Sequence, residues 1–192
     1  MGREFELKYA ATPEKLAAIC QMWEAWQTIS METTYFDTAD GTLSAQHCTL
    51  RCRMENGTSV CTMKTPIAGL GRGEWEISSP WCAETVAELF TNAGREPIAF
   101  EDLHPVCGAK FTRQAKVLEI PGCTVEIALD EGVLMGGERQ IPLCELEVEF
   151  KAGDENAAIA WAKVLAEKFG LQAETRSKFR RASLLAKGEY YG

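Results

Sequence analysis

Charged and apolar residues alternate with a period of two through most of this chain, the mark of strands with one polar and one apolar face. The first such run is Glu4-Phe5-Glu6-Leu7-Lys8, and Glu145-Leu146-Glu147-Val148-Glu149 answers it near the other end. In extended strands Glu4, Glu6 and Lys8 share one side, as do Glu145, Glu147 and Glu149. Between them, Met31 to Thr38 reads as a strand rich in threonine and aromatics. Thr49–Met54 and Ser59–Thr65 flank Glu55-Asn56-Gly57, and Asn-Gly between alternating runs predicts a hairpin. Glu74–Ile77, Lys110–Ile120, Cys123–Leu129 and Ile141–Phe150 bring the total to about eight strands, nearly all joined by hairpin-like turns.

Helical periodicity appears in four places. Thr12-Pro13-Glu14 supplies an N-cap with proline at the first helical position, and the helix is expected to reach about Gln27 with Leu16, Ile19, Cys20, Trp23 and Trp26 toward the core. Ala83–Ala93, Asn156–Phe169 with Gly170 as its stop, and a basic helix over Ser177–Ala186 complete the set. Trp75 lies opposite Glu74 and Glu76 and should point toward a helix. Trp23, Trp26 and Trp161 read as core, Trp81 as undecided. Gly69, Gly71 and Gly73 lack the Lys-Ser/Thr ending and following helix of a phosphate loop.

Composition narrows the setting. A chain of 192 residues, 46% hydrophobic and 25% charged, is long enough to bury a core as one domain over 1–192. Its net charge of −8 gives no general attraction for nucleic acid or anionic lipid, so an anionic ligand must be caught locally. Glu4, Glu6 and Lys8 interrupt the N-terminus before a signal peptide could form, and no apolar run spans a bilayer. Reduced thiols in a cytoplasmic setting are therefore expected for the eight cysteines. With two histidines and no Cys-x-x-Cys pair, a zinc site has little support.

The same-face charges are Glu4, Glu6 and Lys8; Arg51 and Arg53; Lys64; Arg72, Glu74 and Glu76; Arg113; Glu126 and Asp130; and Glu145, Glu147 and Glu149. Phe5, Leu7, Trp75, Ile77, Ile127, Leu129, Leu146 and Val148 supply the opposite, apolar faces. Such strands could form an open sheet with its charged face in water, or close into a barrel with the charges lining the lumen.

The segments Glu4-Phe5-Glu6-Leu7-Lys8, Tyr35-Phe36-Asp37-Thr38, Leu50-Arg51-Cys52-Arg53, Met63-Lys64, Arg72-Gly73-Glu74-Trp75-Glu76, Val125–Asp130, Glu145–Glu149 and Ser177-Lys178-Phe179-Arg180 together resemble the CYTH domain, or triphosphate tunnel metalloenzymes. That family's hallmark is Glu-x-Glu-x-Lys near the N-terminus, and the resemblance covers almost the whole chain. It implies an α+β fold in which an eight-stranded antiparallel closed barrel, a tunnel with helices packed outside, binds triphosphates with Mg²⁺ or Mn²⁺. The later half looks most like bacterial inorganic triphosphatases, which cleave tripolyphosphate to pyrophosphate and phosphate.

Two like charges about 4 Å apart repel by roughly 4 kcal/mol at an effective dielectric of 20, so carboxylates facing one lumen need protons or cations. With the resemblance, Glu4, Glu6, Glu145, Glu147 and Glu149 are expected to hold metal, with Asp130 as a further ligand or water-orienting group. Lys8, Arg51, Arg53, Lys64, Arg113 and Lys178 are expected to grip the phosphates, and Arg72 either joins them or pairs with Glu74 or Glu76. Lys178 enters only through the resemblance; alone it would read as helix surface. Lys8, Arg51, Asp130 and Glu147 are the expected catalytic set, in a two-metal in-line displacement. The runner-up activities are a thiamine triphosphatase or a class IV adenylate cyclase, and a non-catalytic polyphosphate or nucleotide sensor ranks below them. A small anionic triphosphate is the expected partner, neither nucleic acid nor membrane is expected, and a homodimer is compatible with such a barrel.

Overall fold

A computed structural model describes residues 2–68 and 71–190; Gly69 of the glycine-rich loop lies outside them. Its strands are β1 (Gly2–Glu4), β2 (Glu6–Ala10), β3 (Gln27–Asp37), β4 (Thr49–Glu55), β5 (Thr58–Pro66), β6 (Arg72–Ile77), β7 (His104–Ile120), β8 (Cys123–Gly136), β9 (Arg139–Gly153) and β10 (Gln172–Ala173). The helices are α1 (Pro13–Cys20), α2 (Thr42–Ala45), α3 (Ala83–Asn92), α4 (Glu155–Lys168) and α5 (Lys178–Lys187). All strands join one antiparallel sheet in the order β1-β6-β5-β4-β3-β7-β8-β9-β2-β10. The α+β class and the antiparallel sheet are those expected.

The count of strands differs from the expected eight for two reasons. The N-terminal run breaks at Phe5, whose carbonyl accepts from the Phe150 amide at 2.9 Å, and two residues, Gln172 and Ala173, pair with β2. That break lets one run serve two neighbours. β1 pairs with β6, placing Glu4 opposite Arg72, while β2 pairs with β9, placing Lys8 opposite Glu147. The hairpin at Asn56-Gly57 forms as expected, with both residues at positive φ, 49° and 87°. A left-handed pair of this kind matches the twist of the flanking strands.

One face of the sheet is apolar and covered by helices. Ile127, Leu129, Leu146 and Val148 pack with Leu16 and Ile19 of α1 and with Ala162 and Leu165 of α4. Leu50, Met63, Trp75 and Ile77 pack with Val86, Leu89 and Phe90 of α3. Each fully buried aliphatic side chain contributes roughly 1.5–3 kcal/mol. A one-residue slip would exchange these for glutamates and arginines, so the packing fixes the register. Trp81, undecided from sequence, stacks on Phe36 at 3.8 Å within the second of these clusters.

The expected first helix is too long. α1 ends at Cys20, Ala25 adopts a positive φ of 56°, and the Trp26 indole donates to the carbonyls of Cys20 and Trp23. Trp23 and Trp26 still reach the core, but as a cluster with Trp161 around a turn. Their spacing looked helical because both routes lead to one face.

The other face carries the charges, and α5 lies against part of it. Phe111, Leu134 and Leu143, on the charge-bearing side of β7, β8 and β9, meet Ala182 of α5. A Cβ at Gly136 would stand 2.4 Å from the Ala186 nitrogen and 2.5 Å from the Ala182 carbonyl oxygen, so glycine there admits the helix. Among the described residues no helix is long and apolar enough to cross a membrane.

Candidate functional site

The charged face encloses a cavity of about 700 Å³. Strand alternation puts Glu4, Glu6, Lys8, Arg51, Arg53, Lys64, Arg72, Arg113, Glu147 and Glu149 on its wall, and α5 contributes Lys178. Asp130 and Glu145 are not part of that lining. They sit on the same sheet face, but deeper, where α5 covers them, and both are fully buried.

The basic wall comes from β4, β5 and β6. Arg51 stands 3.6 Å from Glu74, and Lys64 reaches Glu74 at 3.4 Å and also pairs with Glu4. Arg53 pairs with Glu55. The Nε atoms of both Arg51 and Arg53 are buried and have no hydrogen-bond partner among the described residues. A buried unpaired donor costs about 1–3 kcal/mol, so these two guanidinium groups are prepared for an anion. Arg72 does not pair with Glu74 or Glu76; it donates to the Thr49 hydroxyl and to the carbonyls of His47 and Lys64, bracing the wall.

The acidic wall comes from β1, β2, β8 and β9. Lys8 bonds Glu6 at 2.9 Å, and Lys151 reaches Glu149 at 2.9 Å and Glu126 at 3.7 Å. Burial raises the Glu149 pKa, and Glu126 and Glu4 add to it, with Lys151 opposing. Burial also acts on Lys8, downward, but Glu6 and Glu147 outweigh it and hold the ammonium above its ordinary value.

Beneath the cavity lies an ion network centred on Lys178. Its Nζ is 2.7 Å from Asp130 and 2.8 Å from Glu147, and it pairs with Glu145 as well. Arg113 forks onto Asp130 with two bonds of 2.7 Å and pairs with Glu147, while Arg181 pairs with Glu145. The carboxylate oxygens of Asp130, Glu145 and Glu147 lie within 4.8 Å of one another, a spacing that could hold a metal ion. Here the Lys178 ammonium stands among them. Burial would push Lys178 down and Glu147 up, but the opposite charges win: Lys178 is held above its usual range and Glu147 well below. Glu145 goes the other way, raised by burial more than Lys178 and Arg181 can offset.

These shifts have opposite signs in stability. Glu147, depressed when folded, contributes stability above its unfolded value of about 4.3, lost as pH falls through the folded value. Glu145, raised when folded, gains as pH falls. Urea denaturation between about pH 7 and about pH 3 should therefore show a steeper acid loss in the wild type than in Glu147→Gln. Equal slopes would remove Glu147 from the acid-sensitive set.

Sequence reasoning missed four charged lining groups. Lys151 continues the parity of Glu149 but lay beyond the expected end of its strand; Arg176, locked by Glu174 through contacts of 2.8 and 3.0 Å, sits in an aperiodic loop. Arg180 and Glu55 also face the cavity. Tyr35, whose face was open, lines it too, packed against Phe179 at 5.2 Å.

The family profile of the CYTH domain matches residues 2–183. An inorganic triphosphatase of Haemophilus influenzae is 26% identical over 204 aligned residues, covering 99% of this chain and 57% of that relative. The chain thus spans little more than half of its length. Among solved structures, a Hippeastrum protein described as having a dominant triphosphatase activity superposes with a TM-score of 0.69 at 16% identity, over 98% of this chain and 97% of that one. An adenylate cyclase candidate from Bacillus halodurans gives 0.63 at 21% identity, over 94% and 98%. These two likenesses concern the fold.

Proposed function

The chain belongs to the CYTH domain family, and on that premise we propose that it is a metal-dependent hydrolase cleaving inorganic triphosphate to pyrophosphate and phosphate inside a closed tunnel. The observation that carries this is one cavity lined by Arg51, Arg53, Lys64 and Arg72 on β4, β5 and β6, with Glu74 and Glu76 among them, and by Glu4, Glu6 and Glu149 on β1, β2 and β9. Closure of the tunnel is supported by the N-terminal run, which pairs with β6 through β1 and with β9 through β2.

A metal fits the acidic wall. Its donors are all carboxylate oxygens, which suit hard divalent cations, and the raised Glu149 pKa marks a surplus of negative charge there. Glu4, Glu6 and Glu149 would hold it, with Glu147 at their border. Mg²⁺ or Mn²⁺ bound there supplies charge neutralisation and a more acidic water. Arg51 and Arg53 bind phosphate oxygens through their unpaired donors, and Lys64 adds a point charge. Lys8 sits where the two walls meet and would stabilise charge on the leaving pyrophosphate. Arg113, Asp130, Glu145 and Lys178 hold Glu147 in place from below.

Inorganic triphosphate is preferred over thiamine triphosphate or ATP because the aromatic faces in the cavity are already in use. Tyr35 and Phe179 pack on each other, and Lys178 lies over Phe111 at 5.1 Å. Among the described residues no tryptophan lines the cavity. Phosphate release from tripolyphosphate, thiamine triphosphate and ATP, each with Mg²⁺ or Mn²⁺ and with chelator, tests the reading. Tripolyphosphate should be the best substrate and chelator should abolish release. Preferential ATP turnover with cyclic AMP formation would replace it with the cyclase reading.

A further inference from the structure

We propose that Cys52 and Cys61 form a peroxide-responsive dithiol on the helix-covered face of the sheet, closing to an intramolecular disulfide that a dithiol reductant reopens. This stands apart from the reading of the cavity. Its basis is the register of the β4–β5 hairpin, in which Cys52 and Cys61 are direct partners.

The loop between the strands has two residues, so Glu55 and Thr58 close the ladder as a hydrogen-bonded pair. Pairs alternate along an antiparallel ladder, which makes Arg53 and Val60 hydrogen-bonded and Cys52 and Cys61 not. At a pair of the second kind the Cα atoms are about 4.5 Å apart and the side chains lean together. Disulfides accept Cα separations of about 4.4–6.8 Å, so this pair can close with little backbone movement.

The thiols differ in a way that suits the reaction. Cys52 is half-buried and lies 3.3 Å from the Ser59 hydroxyl, whereas Cys61 is fully buried and lies 3.5 Å from the Ser79 carbonyl oxygen. Hydrogen bonding from the Cys61 thiol lowers the Cys52 pKa against the effect of burial, with help from Ser59; the same bond and burial raise Cys61. Cys52 is thus the nucleophile and Cys61 the proton-bearing resolving thiol.

The electrons balance with a hydroperoxide as oxidant. The Cys52 thiolate attacks one peroxide oxygen, the O–O bond breaks, and a sulfenic acid and one water (or alcohol) result after protonation. Cys61 sulfur then attacks Cys52 sulfur, the S–O bond breaks as the S–S bond forms, and the Cys61 proton leaves with hydroxide as water. Two thiols have lost two electrons to the peroxide. Arg51 and Arg53 flank Cys52 but point into the cavity, so the bridge ties down the strand that carries them.

The test uses the full chain treated with hydrogen peroxide, alkylated, and mapped by mass spectrometry without reduction. A linked Cys52–Cys61 peptide, loss of two of the eight thiols and their recovery with dithiothreitol are expected. Cys52→Ser should abolish the loss, and Cys61→Ala should abolish the linked peptide and confine any loss to the single Cys52 thiol as sulfenic acid, with circular dichroism reporting on the fold. If the buried Cys61→Ala variant does not fold, Cys52→Ser alone decides. A link from Cys61 to nearby Cys82, sulfinic acid at Cys52 with Cys61 intact, or no change at either thiol would overturn the proposal.

Discussion

Replacing Lys178 with methionine is expected to lower the stability of the fold by about 3–5 kcal/mol, the usual cost of removing one partner from a buried ion network. Methionine keeps most of the length and removes only the charge. Asp130 and Glu145 are fully buried and Glu147 nearly so, and the ammonium they share is the main attraction opposing the desolvation of Glu147. Without it, Arg113 and Arg181 must neutralise three carboxylates. The loss should be larger near pH 8 than near pH 5, because Glu147, no longer held low by the ammonium, and Glu145, already raised by burial, take up protons as the pH falls and so relieve the repulsion. Urea denaturation at the two pH values measures both. A cost below about 1 kcal/mol, the level of an exposed pair, would mean that the network is wet and the helix position unimportant.

The second large effect is expected at Arg51. Arg51→Met should lower kcat/KM for tripolyphosphate by about 10²–10³, the range seen when one preorganised donor to developing charge is removed. Its stability should change by less than about 1 kcal/mol, since its ion pair with Glu74 is long and its Nε bonds to nothing in the described residues. Arg51→Lys keeps the charge and loses the fork, so partial recovery of about tenfold over Arg51→Met is expected. Near-normal turnover in Arg51→Met, from an active wild type, would move the phosphate grip elsewhere in the cavity.

The alternating runs told which side of each strand would face inward, because side-chain direction follows from parity alone. Glu4, Glu6, Lys8, Arg51, Arg53 and Lys64 were legible for that reason. Depth was not. Parity cannot say how far along β8 or β9 a helix will lie, so Asp130 and Glu145 were grouped with the cavity residues although α5 seals them beneath it. Arg181 was invisible for the related reason that a helical period does not reveal which sheet face the helix enters. Lys151 and Arg176 were lost at a strand end and in a loop, where periodicity stops carrying information.

The N-terminal run also has a consequence in time. Its residues are made before those of every other described strand, yet β2 pairs with β9, which follows more than 120 residues later, and β1 waits for β6. β2 therefore waits longest for its partners, and Glu6 and Lys8 keep it in solvent meanwhile. The alternating charges that furnish the cavity wall also protect an unpaired edge on the nascent chain.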